Sequence, residues 1–376
     1  MAAPSSHTSN HRPSLLRCLS WGLWVVGWAA TPAPALTLTV DYTYDAAAED
    51  LFGRFPAAKA AMNQAAADIS ALIATRPTEI SNDYFIGTSG PAEVSFDLNL
   101  RFRDPSLNIM REVDIPFIAE GEVIIYVGSQ SLSENTLALG EISSVKNTIF
   151  SNVAGTPTQL QAATGIAAAD AEAEWRRGGD GPVFNTLSGP VNLGGTTVNF
   201  TADMGPIAAS VWFDSDTNNN GDSDTNAQLA AYWHFDHTTP PPPDKFDFYS
   251  SALHEILHGL GLGTAQSYTQ LYATSEGEPI WLGPTGQYLN GGSAFNLAHI
   301  DSRHLVDGLM SPRLSDGVLQ EVLLARDIER GVRKGVTLMD AAFLQDTSWT
   351  LTSPIPIPEP TSLAWLGLLF ALRRRR

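Results

Sequence analysis

Apolar and polar residues alternate most cleanly where Val94, Phe96, Leu98, Leu100 and Phe102 are separated by Ser95, Asp97, Asn99 and Arg101, which predicts a half-buried strand. Leu36, Leu38 and Val40 alternate with threonines and predict an early strand. The run EVIIYV over residues 122–127 predicts a more buried strand, and residues 196–201 and 208–213 read as two further strands. Helical spacing takes over from Pro56 to about Thr75, where Met62, Ile69, Leu72 and Ile73 punctuate an Ala-rich stretch behind a proline tolerated in the first turn. A second Ala-rich helix fits residues 162–175, and a third runs through residue 258, with Asp244 and Asp247 as alternative N-caps. Strands interleaved with helices predict an α/β or α+β sheet layer. No fixed-period repeat and no long Gly/Ser linker divides the chain, so one domain of two lobes is expected.

With 376 residues, 43% of them hydrophobic and 16% charged, the chain has material for a large core, which excludes wholesale disorder and a multispanning membrane protein. Forty acidic residues against 22 basic ones give a formal charge of −18, so no broad basic face exists to neutralise phosphates and no nucleic-acid partner is expected. Residues 1–35 carry Arg12 and Arg17, an apolar stretch over 19–30 and Ala33-Pro34-Ala35, the three regions of a secretory signal peptide with cleavage after Ala35. Cys18, the single cysteine, lies in that segment, so the mature chain is expected to have neither disulfides nor cysteine-ligated metals.

The other end carries Pro358-Glu359-Pro360, an apolar span over residues 363–372 and four terminal arginines from Arg373 to Arg376. These three parts, in this order, resemble the PEP-CTERM sorting signal of bacterial exosortase substrates. The resemblance covers about the last twenty residues and implies export, an exosortase-type sorting enzyme as partner and transient inner-membrane anchoring. It further implies a final place at the cell surface or in extracellular matrix. The arginines would stay cytoplasmic by the positive-inside rule, although the apolar span is about half of the ~20 residues that cross a bilayer comfortably. Removing the six arginines of the two ends, with no acid, takes the formal charge from −18 to −24.

Two stretches of the body carry metal chemistry. Asp214, Asp216, Asn218, Asn220, Gly221, Asp222 and Asp224 form an oxygen-rich loop whose first six positions from Asp216 match an EF-hand, but Ala227 stands where the bidentate Glu belongs. The loop reads either as a solvated polar turn or as a calcium site. A stiff extended stretch, residues 240–243, then delivers the chain to the third helix. On that helix His254 and His258 are four residues apart, so both imidazoles leave one face at a spacing that suits a shared zinc ion. Glu255 sits beside them, placed to take a proton from a water activated by the metal.

Gly261 follows His258 by three residues, where a chain leaving its helix has to turn sharply. H-E-x-x-H-x-x-G resembles the opening of the metzincin zinc signature. At the position of that signature's last His stands Thr264, so the third ligand has to come from further along. Downstream, His299 and His304 precede Leu309-Met310-Ser311-Pro312, a segment similar to a Met-turn. The arrangement resembles leishmanolysin-like metzincins, whose third His is separated from the helix by a long insertion. Carried over residue by residue, this implies His254, His258 and His299 as zinc ligands, with His304 as the alternative third ligand. It also implies Glu255 as general base and Met310 as a hydrophobic floor; His299 fits the His-to-Met spacing of the family better than His304. The segment Thr337 to Trp349 resembles the family's closing helix, and the whole resemblance covers about residues 233–349.

Other ligands were weighed. Glu278 lies twenty residues past His258, near where gluzincins carry a helical glutamate ligand, but Pro279, Gly277 and Gly283 make a helix there improbable. His234 and His237 suit either a cleft-lining segment or a surface loop. Pro312 occupies the place where astacin-like members carry a transition-state tyrosine, leaving the oxyanion donor unassigned.

The resemblance thus implies an α+β, metzincin-like two-lobed zinc peptidase with a twisted mixed sheet, an active-site helix and a Met-turn. Its organisation is a signal peptide over 1–35, a peptidase domain over 36–353 and a sorting tag over 354–376. The domain divides into an N-terminal sheet lobe over 36–263 and a C-terminal lobe over 264–353. The expected function is that of an exported zinc-dependent endopeptidase acting on polypeptides. The alternative is a non-catalytic cell-surface or biofilm-matrix protein on a decayed metallopeptidase fold.

Overall fold

In the computed structural model, residues 35–115, 117–132, 136–179, 181–275, 278–289, 291, 292, 295, 296, 300, 301, 304, 305 and 328–357 are described. The architecture is mixed α and β, with two principal sheets. The secretory-type segment and the Pro-Glu-Pro tag lie outside these residues. Among the described residues no helix is long and apolar enough to cross a membrane.

The first sheet is built from β1 (Thr37–Asp41), whose chain continues through short helices α1 (Thr43–Ala46) and α2 (Leu51–Arg54) into the long α3 (Pro56–Leu72). The second sheet collects β2 (Tyr84–Ser89), β3 (Ala92–Arg103) and β4 (Met110–Val113) before the chain returns to the first through β5 (Glu122–Gln130) and β6 (Ala138–Ile142). Next come β7 (Ser144–Ser151), which completes the second sheet, and the Ala-rich α4 (Pro157–Trp175). Two ribbons follow, from β8 (Asn185–Ser188), β9 (Val191–Leu193), β10 (Thr196–Val198) and β11 (Thr201–Met204), and then β12 (Ala208–Asp214) re-enters the first sheet. In order, the first sheet runs β1-β5-β12-β6, with β1, β5 and β12 parallel and β6 antiparallel to β12 at the edge.

Alternation along β5 divides the molecule into two cores. Val123, Ile125 and Val127 face a cluster that contains α3 residues such as Met62 and Ile69, whereas Tyr126 faces a second cluster and stacks on Phe102 of β3 with ring centroids 4.1 Å apart. Every residue of β12 is buried, as a central strand covered on both faces has to be. The second core lies between β2, β3 and α4, where Ala163, Ala167 and Ala171 present a smooth stripe. A Cβ on Gly87 of β2 would stand 1.9 Å from the Ala163 carbonyl oxygen, so only glycine permits this approach of helix to strand.

Arg177, just after α4, joins the two cores. Fully buried, it donates to the carbonyls of Thr78, Ala119, Glu122 and Pro206, the chain segments that enter β5 and β12. Burial pulls its pKa down to about 10, which still leaves it charged at neutral pH.

The expected strand over residues 196–201 is divided. Gln161 of α4 donates to the Asn199 carbonyl at 2.6 Å and accepts from its N–H at 2.9 Å, so Asn199 is lost to both ladders and β10 ends before β11 begins. The Ala-rich helix starts a turn earlier than residue 162, because Thr156 and Gln159 form a capping box with Pro157 in the first turn.

The remaining chain forms α5 (Asn226–Tyr232), the two-residue strands β13 (Trp233–His234) and β14 (Phe246–Asp247), and α6 (Phe248–Gly259). Beyond these come α7 (Gln266–Thr269), β15 (Tyr272–Ser275), β16 (Glu278–Trp281), α8 (Pro284–Leu289), β17 (Phe295–Asn296), β18 (Ile300–Asp301), β19 (His304–Leu305) and α9 (Leu338–Asp346). Met339, Phe343 and Leu344 of α9, with Trp281, Trp349 and Leu351, complete the first core against α6.

Replacing Arg177 by Met strands four buried carbonyls. Urea unfolding should then show a loss of at least about 3 kcal/mol, as expected for uncompensated buried polar groups; a change below about 1 kcal/mol would contradict the joining role.

Candidate metal centre

The site is carried by α6, which is buried along almost its whole length. Two small contacts let the helix lie this close to the sheet. A Cβ on Gly140 of β6 would fall 2.3 Å from the Glu255 carbonyl oxygen, and one on Gly259 would fall 2.7 Å from the Ala209 Cβ of β12. Of the two candidate caps it is Asp247 that closes the helix N-terminus, its carboxylate accepting from the Ser250 N–H at 3.1 Å and from the Ser250 hydroxyl at 2.6 Å.

At the C-terminus the helix ends in a Schellman motif. The Leu262 N–H reaches back to the Leu257 carbonyl at 3.1 Å and the Gly261 N–H to the His258 carbonyl at 3.0 Å. Gly261 adopts φ +101°, a region that side chains resist, so the glycine anticipated from the spacing is required by the backbone. The turn swings the Leu262 carbonyl over the helix end, where it lies 2.7 Å from His258 Nδ1. A carbonyl can only accept, so Nδ1 carries the proton and Nε2 keeps its lone pair free to ligate. Thr264, which stands where the compact signature has its third histidine, donates its hydroxyl to the His258 carbonyl at 2.7 Å and so caps the helix.

The His254 and His258 rings lie with centroids 4.8 Å apart, and their Nε2 atoms approach to 3.1 Å. Both nitrogens are thus within reach of one ion bound at ~2.0–2.1 Å, the usual zinc–imidazole distance. His254, Glu255 and His258 are each no more than 4% exposed, and one ligand atom from each falls within 4.8 Å of the others. Among the described residues no other set of three His, Cys, Asp or Glu side chains converges in this way. Glu255 Oε2 is buried without a hydrogen-bond partner among the described residues, and desolvation raises the pKa of the carboxyl well above its ordinary value. A carboxylate oxygen left unpartnered in a core is expensive unless a ligand completes its surroundings. The donor set therefore fits a borderline-soft divalent ion such as zinc.

Of the proposed third ligands, His299 lies outside the described residues, as does Met310. His304 lies in β19, opposite Asp301 of β18; its side chain is outside the description. Glu278 is in strand β16, paired with β15, and not on a second helix. His234 is held away from the cluster by a 3.0 Å contact between its Nε2 and the Thr239 carbonyl, and the His237 ring lies 6.2 Å from that of Tyr249.

The oxygen-rich loop after β12 turns its carboxylates largely onto itself. Asp216 accepts from the N–H groups of Asn220 and Gly221 and from the Ser131 hydroxyl, and Asp224 accepts from the N–H and hydroxyl of Thr217. Desolvation, with Asp216 and Asp224 nearby, raises the pKa of Asp214 to about 6.

Sequence reasoning missed Arg333. Its guanidinium donates to both oxygens of Asp247, at 3.0 and 2.6 Å, and to the carbonyls of Asp236 and His237. A lone arginine in a polar stretch gives no sequence signal for such a bond. In comparisons with known proteins, no family model, curated protein or solved structure matches the chain.

Gly261→Ala forces a side chain into a left-handed turn and to 2.7 Å from the Ala265 Cβ. It should cost about 1–3 kcal/mol in chemical unfolding. Nitrogen NMR of the His258 ring should then report a tautomer mixture in place of the single Nδ1–H form, and an unchanged spectrum would contradict the coupling of turn to ligand.

Proposed function

We propose that this chain is an exported, zinc-dependent endopeptidase of metzincin type. The observation that carries the reading is the convergence of the His254 and His258 Nε2 atoms to 3.1 Å beside the unpartnered Oε2 of Glu255, all on one buried turn. His254 and His258 hold the ion with His299, or with His304 in its place, and Met310 forms the floor. When bound, zinc polarises the scissile carbonyl and makes water acidic enough to attack at neutral pH. Glu255 takes the proton of the attacking water on its carboxylate and delivers it to the leaving amine nitrogen. The Leu262 carbonyl holds the His258 ring in one orientation while this happens, and the caps of α6 keep the three side chains in register.

A polypeptide substrate is supported by β6. It is an edge strand with β12 on one side, and among the described residues no strand pairs with its other edge. Gly140 brings that strand against the backbone of Glu255, so an extended peptide added to the edge would run close to the site. The mixed sheet, with its antiparallel edge strand and the helix beneath, supports the metzincin-like form of the α+β fold. Residues 1–35 act as the export signal and residues 354–376 as the tag handed to an exosortase-type enzyme, which places the product at the cell surface or in the matrix after transient membrane anchoring.

The test is the Glu255→Ala variant of the full chain, assayed for bound zinc and for hydrolysis of an unstructured protein such as casein. The variant should keep zinc and lose activity by at least 10²-fold, the usual scale for a missing general base. Wild-type activity in the variant would remove Glu255 from the mechanism. A wild-type protein that neither binds zinc nor cuts would favour the non-catalytic surface protein.

A further inference from the structure

The segment from Glu329 to Lys334 crosses the entry to α6 and is fastened at each step. Gly331 donates its N–H to the Lys245 carbonyl at 2.8 Å, and its φ of +75° spares a Cβ that would lie 2.7 Å from Pro243 Cα. Arg330 lies over Phe246, 4.3 Å from the ring centroid. Lys334 N–H donates to the Ser250 hydroxyl at 2.7 Å. At the centre stands the fork of Arg333 on Asp247, a carboxylate with no solvent exposure that also caps the helix.

Asp247 precedes His254 in sequence and Arg333 follows His299 and His304, so this pair closes a loop with a sequence separation of 86 that contains every histidine assigned to the metal. We propose that the Asp247–Arg333 pair is a clamp thermodynamically coupled to metal binding, with Arg333 a positioning residue that touches no ligand; this rests on the ligand set assigned above. Two cross-links within one loop support each other: the ion holds the loop's interior and the clamp its ends, so each lowers the chain entropy lost in forming the other. The coupling is reciprocal, and what the clamp gives to zinc affinity zinc returns to the clamp. Lysine keeps the charge of arginine but cannot make the two-pronged contact with Asp247.

The Asp104–Arg111 pair supplies the comparison. It too joins a buried carboxylate to a half-exposed arginine at 2.9 Å, but it closes a sequence separation of only 7 within the second sheet and contains no ligand. The experiment measures zinc affinity by competition with a chromophoric chelator, and thermal midpoints with and without zinc, for full-length wild type, Arg333→Met, Arg333→Lys and Arg111→Met. Arg333→Met should bind zinc at least 10-fold more weakly and show a smaller zinc-induced rise in midpoint. Arg333→Lys should fall between it and wild type, and Arg111→Met should lose stability while keeping wild-type zinc affinity. Zinc affinity within twofold of wild type in both Arg333 variants would overturn the clamp alone, as would equal weakening by Arg111→Met. If Arg333→Met does not fold, Arg333→Lys against Arg111→Met decides the matter. Failure of the wild type to bind zinc would instead overturn the ligand assignment on which the clamp rests.

Discussion

Burying two imidazoles and a carboxylate on one turn of a helix is the constraint around which the rest of this molecule is arranged. Each polar group taken into a core costs free energy unless it is partnered, and an ionised one costs several kcal/mol. The fold meets the constraint locally. Asp247 closes the first turn of α6, the Schellman turn at Gly261 closes the last, and the Leu262 carbonyl takes the only proton on the His258 ring. Trp349 adds a bond from its indole N–H to the Leu260 carbonyl at 3.0 Å, tying the end of the helix to the C-terminal part of the first core. What stays unsatisfied is one oxygen of Glu255, the atom that the proposed chemistry uses.

The same constraint explains the small residues on the sheet. A helix that turns polar groups inward has to gain its stability from its other sides, so α6 presses Leu253, Ile256 and Leu257 into the first core and accepts glycine or alanine opposite its backbone. The strands beneath are held by β12, which is buried throughout, and by Arg177, which binds the segments leading into β5 and β12. Cations are scarce in a chain this acidic, and two of the arginines that are present, Arg177 and Arg333, sit where several backbone segments meet. Each acts as a multi-pronged donor rather than as a surface charge.

Much of the site helix was legible because its signals are local. The four-residue spacing of His254 and His258 depends only on helical geometry, Asp247 was one of two caps offered by the sequence, and the glycine at 261 has a backbone reason that any chain would share. The alternating strand at 92–103 and the buried strand at 122–130 were readable for the same reason. Features made by distant partners were not. Nothing in Ala-Leu-Gly-Glu-Ile marks β6 as a strand until β12 pairs with it, and residues 196–201 look continuous until Gln161 takes Asn199 out of the ladder. Thr264 could be read as the absence of a ligand, but its role as a helix cap emerges only with the turn in place. Arg177 and Arg333 look like solvated charges in sequence and become structural through carbonyls and a carboxylate far along the chain.

The central claim is that α6 carries two of three ligands for one zinc ion. Elemental analysis of the purified wild type beside His299→Ala and His304→Ala tests it most directly. The account predicts one zinc per wild-type chain, lost in one of the two variants, with His299 the expected one, and kept in the other. A wild type without zinc even after reconstitution, or zinc kept in full by both variants, would contradict it.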